Sequence, residues 1–435
     1  METKRFPWGK TFLLGFGFLG ISIIWPIFNQ YIPLFLQAGN PEFERLLLEQ
    51  GRDLPTIVGF GMAPSLAMFI MTWDNLLNMF IAPWAGSASD RTWNRLGRRK
   101  MWILIGAPIA LLGFVFVPLA QTALAIMIFI LITNFGMALF RSPTVSWLGD
   151  LFNRDDRSKA NGVINLMGGI GGLLAYFGSG MIFNALEGTS PEMARLMPFV
   201  AGGIATIVAL ATVIIFVKEP RTLPGGEDKE KANMVANLRT MISNPDKSGI
   251  FVLVSILFWF MAFYALETGL SSFAVFSLGM KPGTASIYAG LVTISFIAFS
   301  IPAGFLGTRF GRGSIIRVGL AGLVVVLLFG FFFIKGPTVF AVVLILAGGF
   351  WALVNVNSLP LVYDHGDERR IGAFTGLYYF SSQLAAVLGP TLGGVLVDAL
   401  GSEYRWLWLF SVGFMILAFL TMLSVRRGEA KPAAG

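Results

Sequence analysis

The sequence predicts an all-α membrane protein that crosses the bilayer twelve times, in two six-helix halves. Three observations predict it. Of the 435 residues, 55% are hydrophobic and only 13% charged, with a mean hydropathy of +0.72; a soluble chain would carry charge on about a quarter of its residues. The apolar residues gather into runs long enough to cross roughly 30 Å of hydrocarbon. The basic residues then sort by side. With both termini on one face, that face collects all Lys and Arg except Arg45, Arg52, Arg195, Lys281, Lys335 and Arg405 opposite and Arg141 inside a span, which leaves 25 of 32. Such a bias marks the cytoplasmic face.

Taken in order, the apolar runs are Thr11–Gln37, Gly61–Gly86, Met101–Leu119, Ala123–Leu148, Asn161–Leu186 and Pro198–Val217, then Gly249–Leu278, Thr284–Thr308, Ile315–Ile334, Thr338–Val362, Gly372–Leu400 and Trp406–Val425. The basic stretch before Thr11 is short and leads into a run of spanning length, so it reads as uncleaved. Between the first two runs, Phe43, Leu46, Leu47 and Gln50 recur at helical spacing in an outer loop. The polar stretch 218–248 separates a first half, 1–217, from a second, 249–435. Within it Met234, Val235, Leu238, Met241 and Ile242 form one apolar face of a short helix lying on the inner membrane surface. Repetition supports the division. Gly86-x-x-x-Asp90-Arg91 with Leu96-Gly97-Arg98 returns as Gly304-x-x-x-Thr308-Arg309 with Phe310-Gly311-Arg312, and Arg157-Ser-Lys-Ala160 returns as Arg370-Ile-Gly-Ala373. Parallel repeats of this kind put a substrate near the midplane between them.

Composition excludes several functions. The net charge of +8 sits in short loops rather than in a basic arm, so it does not point to nucleic acid. Without Cys, and with one His, His365, in a polar loop, thiol chemistry and metal clusters are excluded. An intramembrane enzyme lacks its catalytic cluster.

Charge within the spans points to transport, because it is costly there and kept for use. Asp74 lies about 12 residues, roughly 18 Å, above the basic turn that follows the second span. Arg141 lies about 7 residues, roughly 10 Å, above the inner end of the fourth, on a face shared with Asn134 and Ala138. A proton site in which ionised Asp74 holds Arg141 and protonated Asp74 releases it is one reading; a permanent structural ion pair is the other. Glu267, with Tyr264 one turn before it, suits sugar hydroxyls or a second proton. Asn29 and Gln30 in the first span, Asn78 in the second, and Tyr379 and Gln383 in the eleventh complete an uncharged polar set. Amides and aromatic rings suit a neutral polyol, and each can equally join helices. Asn161 and Asn165, on a face with Gly168, Gly169 and Gly172, read first as close helix packing.

Gly86-Ser-Ala-Ser-Asp90-Arg91 followed by Arg95-Leu-Gly97-Arg98-Arg99-Lys100 resembles the loop motif of the major facilitator superfamily. Its Arg-x-Gly-Arg-Arg form resembles the sucrose:proton symporter branch, as do Leu148-Gly149-Asp150-Leu151, Arg157-Ser-Lys-Ala-Asn161-Gly-Val-Ile-Asn165 and Ala265-Leu-Glu267-Thr268. Trp73-Asp74 is similar to the cation site of the glycoside–pentoside–hexuronide:cation symporters, but their second carboxylate, four residues on, is Asn78 here. One carboxylate can carry a proton but offers fewer hard oxygens to sodium. Sucrose carriers have an Arg after the Pro of the fourth span; here Arg141 precedes Pro143. The resemblance implies the major facilitator fold and a monomeric carrier in the cell inner membrane. It implies alternating access and proton-coupled symport of a neutral sugar such as sucrose or maltose, with no cofactor beyond the coupling proton. A proton-driven exporter of hydrophobic or cationic compounds is the competing expectation. In the motif loop, Asp90 is expected to cap a helix start and Arg98 to engage Asp150. Gly86, Arg91 and Gly97 belong to the same gating motif, whose contacts are expected to hold the halves together on the inner side when the carrier faces outward. Positive-inside anchoring is the plainer reading, above all for Arg95, Arg99 and Lys100.

Overall fold

A computed structural model describes residues 6–152, 154–219, 247–364 and 371–425 of the chain. Twelve of its helices are long and apolar enough to cross a membrane, and no β-strand occurs among the described residues. Helices are what the bilayer demands, since each satisfies its own backbone polar groups. They are α1 (Trp8–Gln37), the loop helix α2 (Pro41–Glu49), α3 (Pro64–Ile70) with α4 (Trp73–Arg91) as one broken span, α5 (Lys100–Phe116), α6 (Ala123–Leu151), α7 (Arg154–Glu187) and α8 (Pro191–Phe216), followed by α9 (Ser248–Ser272), α10 (Pro282–Phe310), α11 (Arg312–Phe333), α12 (Pro337–Asp364), α13 (Ile371–Ala399) and α14 (Trp406–Leu423). Five helices that start on the side away from the basic turn begin with Pro, a residue preorganised for the first helical position. The expected loop helix is α2, which buries Phe43 and Leu47. Of the stretch 218–248 only the two ends are described; the apolar face from Met234 to Ile242 lies outside the described residues, as do His365 and Arg370.

The break in the second span has a local cause. The Thr72 hydroxyl donates to the Phe69 carbonyl at 2.7 Å, while the Thr72 carbonyl accepts from Asn75 and Leu76 at 3.0 and 3.1 Å. A β-branched hydroxyl that bonds back along the chain competes with the helical ladder. The helix therefore restarts at Trp73, which puts Asp74 in a first turn.

Packing repeats between the two sets of six spans. In the first, α1 packs on α7 and α8, and α6 on α4 and α5; in the second, α9 packs on α13 and α14, and α12 on α10 and α11. Small residues allow the closest crossings, as where a Cβ on Gly136 would lie 2.3 Å from the Ala110 nitrogen. In the Gly stripe of α7, Gly168 faces Ser22 and Gly169 Ile297 closely, whereas Gly172 meets only Pro26 at ordinary contact distance. A tighter approach is made by Gly171, off that stripe, against the Leu19 backbone, and Asn161 and Asn165 are exposed.

Among the described residues, polar contacts between the two sets gather on the side away from the basic turn. Gln37 donates to Ser272 at 3.0 Å and accepts from Tyr404 at 2.5 Å. Ser179 meets Ser286 at 3.3 Å, and Asn184 donates to Thr284 at 3.2 Å. The Ser65 amide donates to Asp398 at 3.0 Å, and Lys281 pairs with Glu187 at 3.3 Å. The molecule is sealed on that side.

Candidate substrate and proton site

Asp74 is half-buried, and its carboxylate accepts from the Asn75 side chain at 2.7 Å. Its place in the first turn of α4 sets it at the positive end of that helix, a favourable position for negative charge. Arg141 projects from α6 with an exposed side chain. Its charge reaches Asp74, but no ion pair joins the two among the described residues. The contact expected for ionised Asp74 is thus open in this conformer, with Asn75 on the carboxylate instead.

Glu267 and Tyr264 stand one turn apart on α9, in the other set of spans from Asp74 and Arg141. Glu267 also lines a cavity of about 120 Å³ with Gln30, Tyr176, Phe263, Trp351 and Trp408, and the rest of its wall is largely aliphatic. Phe263 and Trp351 stack at 4.2 Å with planes 6° apart, a flat platform beside the carboxylate.

Several buried polar atoms in the spans have no protein partner: Trp25 Nε1, Gln30 Oε1, Asn78 Oδ1, Gln383 Oε1 and both amide atoms of Asn134. Asn134 is 1% exposed, and Asn29 is half-buried. At the eleventh span the roles of two neighbours differ. Tyr379 is 53% exposed, while Tyr378 is buried with its hydroxyl against Ser358 at 3.1 Å. Tyr176 and Trp351 were not signalled by the sequence, because one aromatic among 41 Phe, 11 Trp and 8 Tyr carries no spacing signature.

The basic turn departs from expectation in two ways. Asp90 caps no helix start; it stands in the last turn of α4 and pairs with Arg98 at 3.1 Å and Arg99 at 2.5 Å. The amides opening α5 are held instead by Glu219, which follows α8. Its carboxylate accepts from the backbone N–H groups of Arg98 at 2.5 Å, Arg99 at 3.1 Å and Lys100 at 3.0 Å. The Asp150 contact also belongs to Arg99, not Arg98: Arg99 Nε donates to it at 2.7 Å, and Arg99 Nη1 donates to Ser89 and to the Gly86 carbonyl. The reason is backbone direction. Gly97 turns with φ of 121°, and a Cβ there would lie 2.8 Å from the Glu219 carboxyl. With amides 98–100 pinned, Arg99 enters the slot between α4 and α6 and is 2% exposed. Burial works against its charge, but Asp150 and Asp90 outweigh burial and hold the guanidinium above its ordinary value. Gly86 lets α4 approach Ser142 of α6, and Arg91 is exposed. Among the described residues these partners all lie in the first set of spans, so the loop braces that set and does not bridge to the other.

A family model described as Major Facilitator Superfamily matches residues 11–390 and 275–435. The chain belongs to the Major Facilitator Superfamily. Within that superfamily it is 24% identical over 359 residues to the class B tetracycline resistance protein of Escherichia coli, covering 80% of this chain and 83% of that one. It is 26% identical over 187 residues to the hexuronate transporter of Bacillus subtilis, covering 42% of this chain and 43% of that one. Among solved structures, that of a D-xylose–proton symporter superposes with a TM-score of 0.68 at 15% identity, over 98% of this chain and 99% of the other. That likeness is one of fold. The chain is therefore a secondary transporter of a small molecule and not an enzyme.

Proposed function

We propose that this facilitator is a proton-coupled symporter of a neutral sugar, a di- or oligosaccharide such as sucrose or maltose. It would be allied to the sucrose:proton and glycoside–pentoside–hexuronide:cation symporters. The observation that carries the reading is the set of buried, uncharged hydrogen-bonding atoms without partners on Trp25, Gln30, Asn78 and Gln383, in the first, second and eleventh spans, with Asp74 in the second and Glu267 in the seventh. Left dry, each such atom costs about 1–3 kcal/mol; sugar hydroxyls, which donate and accept, would satisfy them. Asp74 carries the proton, with Arg141 as its counter-charge when ionised, and Glu267 receives hydroxyls against the Phe263–Trp351 platform. Asn78, in place of a second carboxylate, favours proton over sodium. By the charge bias the basic side is cytoplasmic with both termini, in the cell inner membrane. The sealed side then faces out, and the conformer is inward-facing. The carrier works as a monomer, its two halves rocking about the site.

A second reading rests on the cavity beside Glu267. Its wall is mostly aliphatic and aromatic around one carboxylate, which suits a hydrophobic cation, and the Escherichia coli relative is a tetracycline resistance protein. Uptake into proteoliposomes separates the two. Labelled sucrose or maltose is expected to accumulate under an imposed pH gradient and to ignore a sodium gradient. Asp74→Asn is expected to lose gradient-driven accumulation while retaining sugar exchange at equilibrium. No sugar uptake, together with proton-driven movement of tetracycline or a cationic dye, would replace the first reading with the second.

A further inference from the structure

Residues 37–52 run from the end of α1 across the sealed side and settle on the second set of spans. Asn40 caps α2 by accepting from the Glu42 amide at 3.0 Å, and its own amide donates to the Met62 carbonyl at 3.2 Å. The segment is thereby rooted in the first set. Its apolar face points the other way: Phe43 and Leu47, one turn apart, are 2% and 0% exposed. The Phe43 ring lies flat on Phe276 at 4.6 Å between centroids with planes 6° apart, and Tyr404 closes the slot at 5.8 Å. Phe276 belongs to the single π-helical turn of the chain's described residues, Phe273–Ser277, at the tip of α9. Such a turn shifts side chains relative to an α-helix and often marks a working position. Past α2, Arg52 donates to the carbonyl of Ser277 and, at 3.2 Å, to that of Lys335, so a cation covers the carbonyl end of that turn.

We propose that this segment is a strap and that Phe43 is its catch: the protein opens on the sealed side only when Phe43 leaves the slot formed by Phe276 and Tyr404. Separation of α1 from α9 carries Asn40 and α2 with the first set while Phe276 stays with the second. A loop helix that merely covered the surface would not place its most buried ring on the opposite set of spans. The passive alternative is that helix crossings such as Gly180 on Gly283 do all the sealing and that α2 follows them.

The inference rests on the proposed alternation between two facings but not on the substrate, so its labelling test needs none. The chain has no Cys, and a single introduced thiol therefore reports alone. Ser272, fully buried beneath Gln37, becomes Ser272→Cys and is labelled in vesicles with a membrane-impermeant maleimide from the sealed side. Adding Phe43→Ala is expected to raise the labelling rate roughly tenfold, in line with losing a stacked aromatic anchor. Adding Phe43→Leu, a milder change that keeps an apolar side chain, is expected to raise it less. In a separate pair, Phe43→Cys with Phe276→Cys joined by a short bifunctional maleimide, pH-driven accumulation of labelled sucrose or maltose is expected to stop. Parent-rate labelling in both Phe43 variants, or continued transport by the bridged protein, would overturn the strap. Failure of sugar uptake alone would leave the labelling result standing and would count only against the substrate.

Discussion

Replacing Glu219 with Gln tests whether one carboxylate organises the basic turn. The side chain keeps its size, but an NH₂ group now stands where an acceptor oxygen met the amides of Arg98, Arg99 and Lys100. At least one charge-assisted bond is lost, at about 1.5–3 kcal/mol. The attraction between the carboxylate and the positive end of α5 goes with it, at about 0.3–1 kcal/mol. A total of about 2–4 kcal/mol corresponds to a roughly thirty- to seven-hundredfold rise in local opening. Because first-turn amides have no helical acceptor, their protection from exchange depends on Glu219. Hydrogen–deuterium exchange of the protein in lipid nanodiscs is expected to accelerate by that factor in the peptide covering 98–103, with amides in the middle of α6 unchanged. Equal exchange in the two proteins would refute the idea that Glu219 holds the turn.

Two further substitutions probe the seam and the site. In Gly283→Ala the new Cβ would meet the Gly180 carbonyl at 2.4 Å and Asn184 Oδ1 at 2.5 Å, so α7 and α10 must move apart; the expected result is about 1–3 kcal/mol lower stability in thermal unfolding and faster labelling of a thiol on the sealed side, and unchanged values would mean that this crossing does not limit closure. Gln383→Leu removes an acceptor with no partner, so the empty protein is expected to melt at the same temperature or slightly higher, whereas sugar affinity by calorimetry falls about tenfold or more; an unchanged affinity would take Gln383 out of the site.

The spans were legible because run length and side-sorted Lys and Arg are signals the bilayer imposes on the sequence itself. The loop helix was legible from the spacing of Phe43 and Leu47. The break at Thr72 was not, since a hydroxyl bonding back to Phe69 competes locally inside an otherwise apolar run. In the site, Asp74, Arg141 and Glu267 stood out because charge is rare in a span. Tyr176 lay within a Gly-rich stretch whose evident role was packing, and nothing marked it as cavity wall. Glu219 was hidden for a different reason: its donors are backbone amides 119 to 121 residues earlier, and backbone groups leave no trace in composition. Arg98 and Arg99 could be told apart only once the φ of Gly97 fixed which of two adjacent side chains enters the slot.

The position of the seal relative to the cavity bears on how a bound molecule could be sensed. Gln30 lines the cavity, and the next residue, Tyr31, donates to Ser179 at 3.4 Å in the sealing layer. Tyr176 belongs to both: its side chain lines the cavity beside Glu267, and its carbonyl accepts from Ser286 of the other set at 2.9 Å. A ligand that shifts α7 at Tyr176 therefore acts directly on an atom that closes the seam, without a relay through intervening helices. The remaining contacts across the seam suit reversible closure. The Lys281 side chain is 68% exposed and its pair with Glu187 is correspondingly weak, while Gln37, Ser272 and Tyr404 form uncharged bonds that water can replace as the seam opens. Each such bond contributes about 0.5–1.5 kcal/mol net, so a comparable set on the other side suffices to bring two facings within the few kcal/mol that allow a ligand or a proton to choose between them.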